Sequence, residues 1–173
     1  EPTRRGYAFL GWFTQETGGT QVDGNTVFKE VASTTYYAHW EEATVFSVIV
    51  PAVLPVTVDQ NGKVYVSNAE IVNHSTAAVQ VSSVTLTAEN GWTLVPYASD
   101  MSHAKVDSNQ IGFKINSAQT SKTGSTEQFV LTSPWQIAEE ESLALSYDAV
   151  VSALSQPVTN ANILCVLFVV EWA

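Results

Sequence analysis

Along most of this chain apolar and polar residues alternate or gather in short apolar runs, and helical spacing is nearly absent. Residues 7–14 (YAFLGWFT) and 34–40 (TTYYAHW) are aromatic-rich strand candidates. Between them the QETGG stretch beginning at Gln15, and then Asp23, Gly24 and Asn25, supply turn chemistry around shorter extended pieces. Residues 44–50 (TVFSVIV) read as a strand stopped by Pro51, and 54–58 (LPVTV) lead into Asp59-Gln60-Asn61-Gly62. Asn-Gly readily takes positive φ, which predicts a hairpin returning through 63–67 (KVYVS). Residues 69–73 and 77–88 (AAVQVSSVTLTA) come next, with Val79, Val81, Val84, Leu86 and Ala88 as inward candidates. The step from Val81 to Val84 breaks the period of two, so a bulge near Ser82 and Ser83 is needed to keep both halves facing one core.

Residues 89–95 (ENGWTLV) restart as a strand after Asn90-Gly91, and 96–110 form a long polar connection with room for one short helical turn. Strands at 111–115, 127–132, 143–151 and 162–172 complete the set. A helix is conceivable only at 149–154, where clear caps are missing, and Glu139, Glu140 and Glu141 read as a solvated turn. Many short strands at near-regular spacing predict an all-β chain whose main part is an Ig-like antiparallel β-sandwich. A composition shift at Glu41-Glu42 divides it into an aromatic opening module, 1–42, and a Val-rich sandwich domain, 43–173.

Composition sharpens this picture. The 173 residues are 45% hydrophobic and only 14% charged, enough apolar material for a core and too little charge for disorder. The formal net charge of −10 repels nucleic-acid phosphates and anionic membrane surfaces, so those partners are not expected. The longest apolar run, Ile163 to Val170 (ILCVLFVV), is strand-sized, and membrane insertion by this chain is not expected either. No basic and then apolar leader opens the sequence and no initiating Met is present, so it reads as a fragment of a longer protein, a monomer by itself. The single cysteine, Cys165, has no disulfide partner and lies within the apolar run, where a buried, inert thiol is the expectation.

The opening residues carry a resemblance. Pro2-Thr3-Arg4-Arg5-Gly6-Tyr7-Ala8-Phe9-Leu10-Gly11-Trp12-Phe13, then Gly18-Gly19-Thr20, then Tyr36-Tyr37-Ala38-His39-Trp40 closely resemble the ending half of the Listeria/Bacteroides (internalin B-type) repeat. The resemblance covers about the first 40 residues. It implies a partial β-grasp-like module of the kind strung along secreted or wall-attached bacterial proteins as spacers and adhesive units. Tyr7, Phe9, Trp12, Tyr37 and Trp40 are expected to form the aromatic core of this module, with Gly6 and Gly11 where the backbone bends or a strand approaches closely. More loosely, VIVPAVLPVTVDQNGKVYVSNAEIVNHS and VSSVTLTAENGWTLV resemble sandwich domains of Gram-positive bacterial surface proteins.

Candidate chemistry is sparse. His39, His74 and His103 lack any zinc-site spacing, and no nucleophile elbow or phosphate loop occurs, so no metal, cofactor or catalytic residue is assigned. Asp59 to Gly62 resembles the start of a calcium loop, but the closing Glu70 follows strand-like residues and the hairpin is preferred. The expectation is therefore a non-catalytic structural or adhesive module of an extracellular, cell-surface or cell-wall protein, with a host or cell-wall glycan or protein as partner. The alternative is a carbohydrate-binding module in which Trp92, Tyr97 and Trp135, with Trp172, offer an exposed stacking platform. A hydrolase whose site escapes linear reading is the third. Exposure discriminates them: buried indoles favour the scaffold, coplanar exposed rings favour the sugar binder.

Overall fold

A computed structural model of the chain describes residues 1–4, 6–27, 33–58, 64–158 and 161–173. The fold is all-β, built from several antiparallel sheets in a sandwich, with one 3-10 turn at Met101–His103. Contacts divide it into two compact units, Glu1–Phe46 and Ser47–Ala173. The first unit runs past Glu42 because the Ala43 amide still donates to the Gly6 carbonyl at 2.8 Å.

The first unit is a three-stranded antiparallel sheet of β1 (Tyr7–Phe13), β2 (Gln21–Val22) and β3 (Tyr37–Glu42), in the order β2-β1-β3. Phe9 pairs with Trp40 and Gly11 with His39, so Leu10 is an extra residue, and this bulge brings Phe9 and Trp12 to the same face. Gly11 holds φ at +131°, and a Cβ there would run into the Gln21 side-chain amide, which donates to the Leu10 carbonyl at 2.9 Å. A bend and a close approach thus coincide at one glycine.

Among the described residues the aromatic core expected for this unit is only partly closed. Trp12 and Tyr37 are 44% and 37% exposed, Tyr7, Phe9 and Trp40 are only half-buried, and no described hydrophobic residue of this unit is fully buried. A single sheet has two faces and, among the described residues, no second layer to cover either. Its aromatics pack edge to face instead, Phe9 against Trp12 and Trp40 at centroid distances of 5.7 and 5.3 Å.

The second unit contains β4 (Val48–Ile49), β5 (Val56–Val58), β6 (Val64–Val66), β7 (Glu70–Asn73), β8 (Val79–Ala88), β9 (Thr93–Leu94), β10 (Gln110–Ile115), β11 (Ala118–Gln119), β12 (Thr126–Ile137), β13 (Ser142–Ala144), β14 (Tyr147–Val151) and β15 (Leu164–Trp172). One sheet has the order β12-β8-β15; others are β13-β7-β4 and β11-β10-β14, with β9 parallel to β10, and β5 pairs with β6. Val79, Val81, Val84 and Leu86 of β8 are completely buried and meet Ile71, Ile111, Phe113, Ile115, Ile137 and Tyr147 in one core. Each such aliphatic side chain contributes roughly 1.5 to 3 kcal/mol on leaving water.

The bulge expected in β8 is present. Val169 faces Ser83 while Val170 faces Val81, which leaves Ser82 unmatched, and Val81 and Val84 both point inward as a result. Asn90 and Gly91 take φ of 51° and 81°, and the Trp92 amide closes the turn onto the Glu89 carbonyl. The hairpin expected at Asp59 to Gly62 lies outside the described residues, although β5 and β6 flank it as antiparallel partners.

Several expectations are corrected. Residues 149–154 are not helical: Ala149 to Val151 belong to β14, which pairs along β10, and Ala149 is buried in the core. Residues 143–151 are not one strand but β13 and β14, because the chain changes partners from β7 to β10 at Leu145-Ser146. There the Leu145 amide donates to Ala69 and the Ser146 amide to the Asn116 side chain. Of 44–50 only Val48–Ile49 pairs as a strand. Cys165 is exposed, since β15 turns its odd-numbered side chains to solvent and packs Leu164, Val166, Phe168 and Val170 against the core.

Candidate binding surface

The aromatic residues singled out in the sandwich do not assemble into a platform. Trp92 and Trp135 are each 9% exposed and belong to the core, and the Trp135 indole donates to Ser117 Oγ at 3.0 Å. Tyr97 is half-buried beside β14, its hydroxyl donating to Asp148 Oδ2 at 2.7 Å. That bond, more than desolvation or the nearby charge, raises the Tyr97 pKa above its usual value, since ionising the phenol would lose the donor and set two anions together. Trp172, at the end of β15, is 38% exposed.

Some of the buried polar side chains in the sandwich hold loops. Asn73 is fully buried; its Nδ2 donates to the carbonyls of Ala77, Ile137 and Ala138 at 3.0, 3.2 and 3.0 Å, and its Oδ1 accepts the Ser75 amide. Ser75 Oγ in turn accepts the Ser47 amide at 2.9 Å. The Asn73-His74-Ser75 segment is thus a structural clamp. Glu127, 8% exposed, accepts from the Ser121 amide and hydroxyl and from the Lys122 amide, which fixes the turn before β12. Nothing in the spacing around Glu127 announced this role. Asp107 performs a similar task on the surface, and the Ser155 amide bond holds its carboxyl below the usual range. Asp100 is lowered likewise by the Ser102 amide at the start of the 3-10 turn.

Open aromatic surface lies in the first unit. A shallow depression of about 310 Å³ is lined by Arg4, Leu10, Glu16, Ala38, His39 and Trp40 among others. The Arg4 guanidinium stands 3.7 Å over the Tyr7 ring. His39 stacks on Phe13 with centroids 4.0 Å apart while its Nε2 lies 2.9 Å from the Gln15 carbonyl. Apolar ring faces thus lie beside charged and hydrogen-bonding groups, an arrangement suited to surface contact. Among the described residues no three His, Cys, Asp or Glu side chains converge, and no helix is long and apolar enough to cross a membrane.

No curated protein and no solved structure matches the chain. Over residues 1–39, which contain the bulged aromatic strand, the Gly18-Gly19 turn, β2 and the first half of β3, the chain matches the family model of the Listeria-Bacteroides repeat domain, a repeat found in bacterial surface proteins.

Proposed function

We propose that this chain is a non-catalytic structural and adhesive module of a secreted or cell-wall-attached bacterial protein. The observation that carries the reading is the allocation of aromatic side chains: the sandwich encloses Trp92 and Trp135 in its core, whereas the repeat-like sheet leaves Trp12 and Tyr37 open to solvent. A packed sandwich resists deformation and serves as a stalk, and the exposed aromatic sheet supplies contact area for a host or cell-wall glycan or protein. The match of residues 1–39 to a repeat of surface proteins supports the location.

Antibody raised against residues 1–173 is expected to label intact, unpermeabilised cells of the source bacterium. Labelling confined to lysed cells would reject the surface role. A second reading, carbohydrate binding, draws on Trp12, Trp40 and the adjoining depression rather than on the sandwich indoles. Glycan-array binding that disappears in Trp12→Ala and Trp40→Ala would favour it; an array without signal from the folded chain would leave the adhesive contact to protein.

A further inference from the structure

The sheet β12-β8-β15 has two unlike edges. β12 carries Pro134, and its register against β8 jumps between Val130 and Trp135, devices that spoil an edge for further pairing. β15 has neither: its nine residues include no Pro, Lys or Arg and a single charged residue, Glu171, and the unmatched Ser82 sits on β8, so β15 itself is uninterrupted. At its ends the Ile163 carbonyl accepts the Glu89 amide and the Ala173 amide donates to Ala78. Both positions are odd, so the odd peptide groups face β8 while those of Leu164, Val166, Phe168 and Val170 aim away from it. Among the described residues no strand pairs with this outer side. On the solvent face beside it lie Leu167, 59% exposed, Val169, 42% exposed, and Cys165.

We infer that β15 pairs antiparallel with β15 of a second copy of this chain, about a twofold axis through Phe168. Phe168 is the midpoint of the strand, so this register overlaps both copies along their full length. The outward peptide groups then meet one another: Phe168 exchanges hydrogen bonds with the partner's Phe168, and Val166 with the partner's Val170. Even residues stay opposite even residues, so core-facing side chains continue one core face and solvent-facing ones the other. Leu167 falls opposite the partner's Val169 and covers the exposed apolar patch. Glu171 falls opposite the partner's Cys165, which keeps the two carboxylates at opposite ends of the seam in a chain whose net charge is −10. A second copy is favoured over an unrelated strand because this register satisfies backbone, face and charge together, and the monomer expected from the sequence becomes half of a six-stranded sheet.

Sedimentation velocity of the 173-residue chain across a concentration series is expected to show a reversible dimer. Leu167→Lys and Val169→Lys, both on the solvent face, are expected to weaken it by roughly tenfold or more while melting like the parent. Mixing C165S/L167C with C165S/V169C under mild oxidation is expected to give a disulfide-linked heterodimer. Either variant alone is expected to crosslink poorly, because directly opposed Cβ atoms lie about 5 Å apart and diagonal ones about 7 to 8 Å. A chain that stays monomeric throughout, a dimer indifferent to both lysines, or equal crosslinking in the single variants would overturn the proposal.

Discussion

Tyr97 crosses directly over Gly112: a Cβ built on Gly112 would stand 2.8 Å from Tyr97 Cα and 2.9 Å from the Pro96 carbonyl oxygen, both backbone atoms, and 2.8 Å from Val150 Cγ2. The segment after β9 can lie on β10 only where one residue lacks a side chain. Gly112→Ala is expected to destabilise the sandwich by about 1 to 3 kcal/mol, the usual range for overpacking. Urea unfolding with an unchanged slope and a lowered midpoint would register it; an unaltered midpoint would mean that the Pro96-Tyr97 backbone yields to the added methyl group without cost.

The tryptophans of the two units are expected to respond in opposite ways. Trp92→Ala empties a core site and is expected to cost about 3 to 5 kcal/mol, read as a fall in melting temperature. Trp12→Ala, at 44% exposure on an open sheet, is expected to leave the transition of the sandwich unit in place. Equal losses in that transition would contradict the assignment of Trp92 to the core.

Asn73 gathers three carbonyls and one amide from segments far apart in sequence. Asn73→Ala removes their common partner, and a cost of about 1 to 3 kcal/mol is expected from the groups left without it. Ser75→Ala, which removes only the hydroxyl between Ser47 and β7, is expected to cost less. Hydrogen exchange at the Ser75 and Ser47 amides reports the loosening directly.

Tyr97 and Asp148 couple the same crossing to pH. The folded-state pKa of Tyr97 is raised, so the contribution of this pair is complete below the ordinary tyrosine range and is lost as pH climbs through the raised value. Ultraviolet titration is expected to show a late phenol component from Tyr97 that moves down in Asp148→Asn and is lost in Tyr97→Phe. Asp107 runs the other way: its lowered pKa makes its hold on Ser155 present at neutral pH and lost as pH falls through that value, a loss absent in Asp107→Ala.

How much of this was legible depended on whether one face of a strand was marked by polarity. The Ser82 bulge could be read because Val81 and Val84 break a clear alternation, and the Asn90-Gly91 turn because few other pairs tolerate two positive φ values. Cys165 could not be placed: β15 is apolar on both faces, so its period is silent, and only pairing with β8 decides which set turns inward. The division at Leu145-Ser146 was equally hidden, because leaving β7 for β10 is set by distant partners and not by local residues. The burial of Trp92 and Trp135 was hidden for a related reason, since an indole in an apolar segment looks the same in sequence whether a second layer covers it or not.

By itself, then, the amino-acid order determined an all-β chain with a repeat-like aromatic opening, because side-chain periodicity and turn propensities act within a few residues. Which aromatics lie under a second layer, which carbonyls Asn73 gathers, and which edge of the long sheet stays open were decided by tertiary structure alone, because burial is a property of residues brought together from far along the chain.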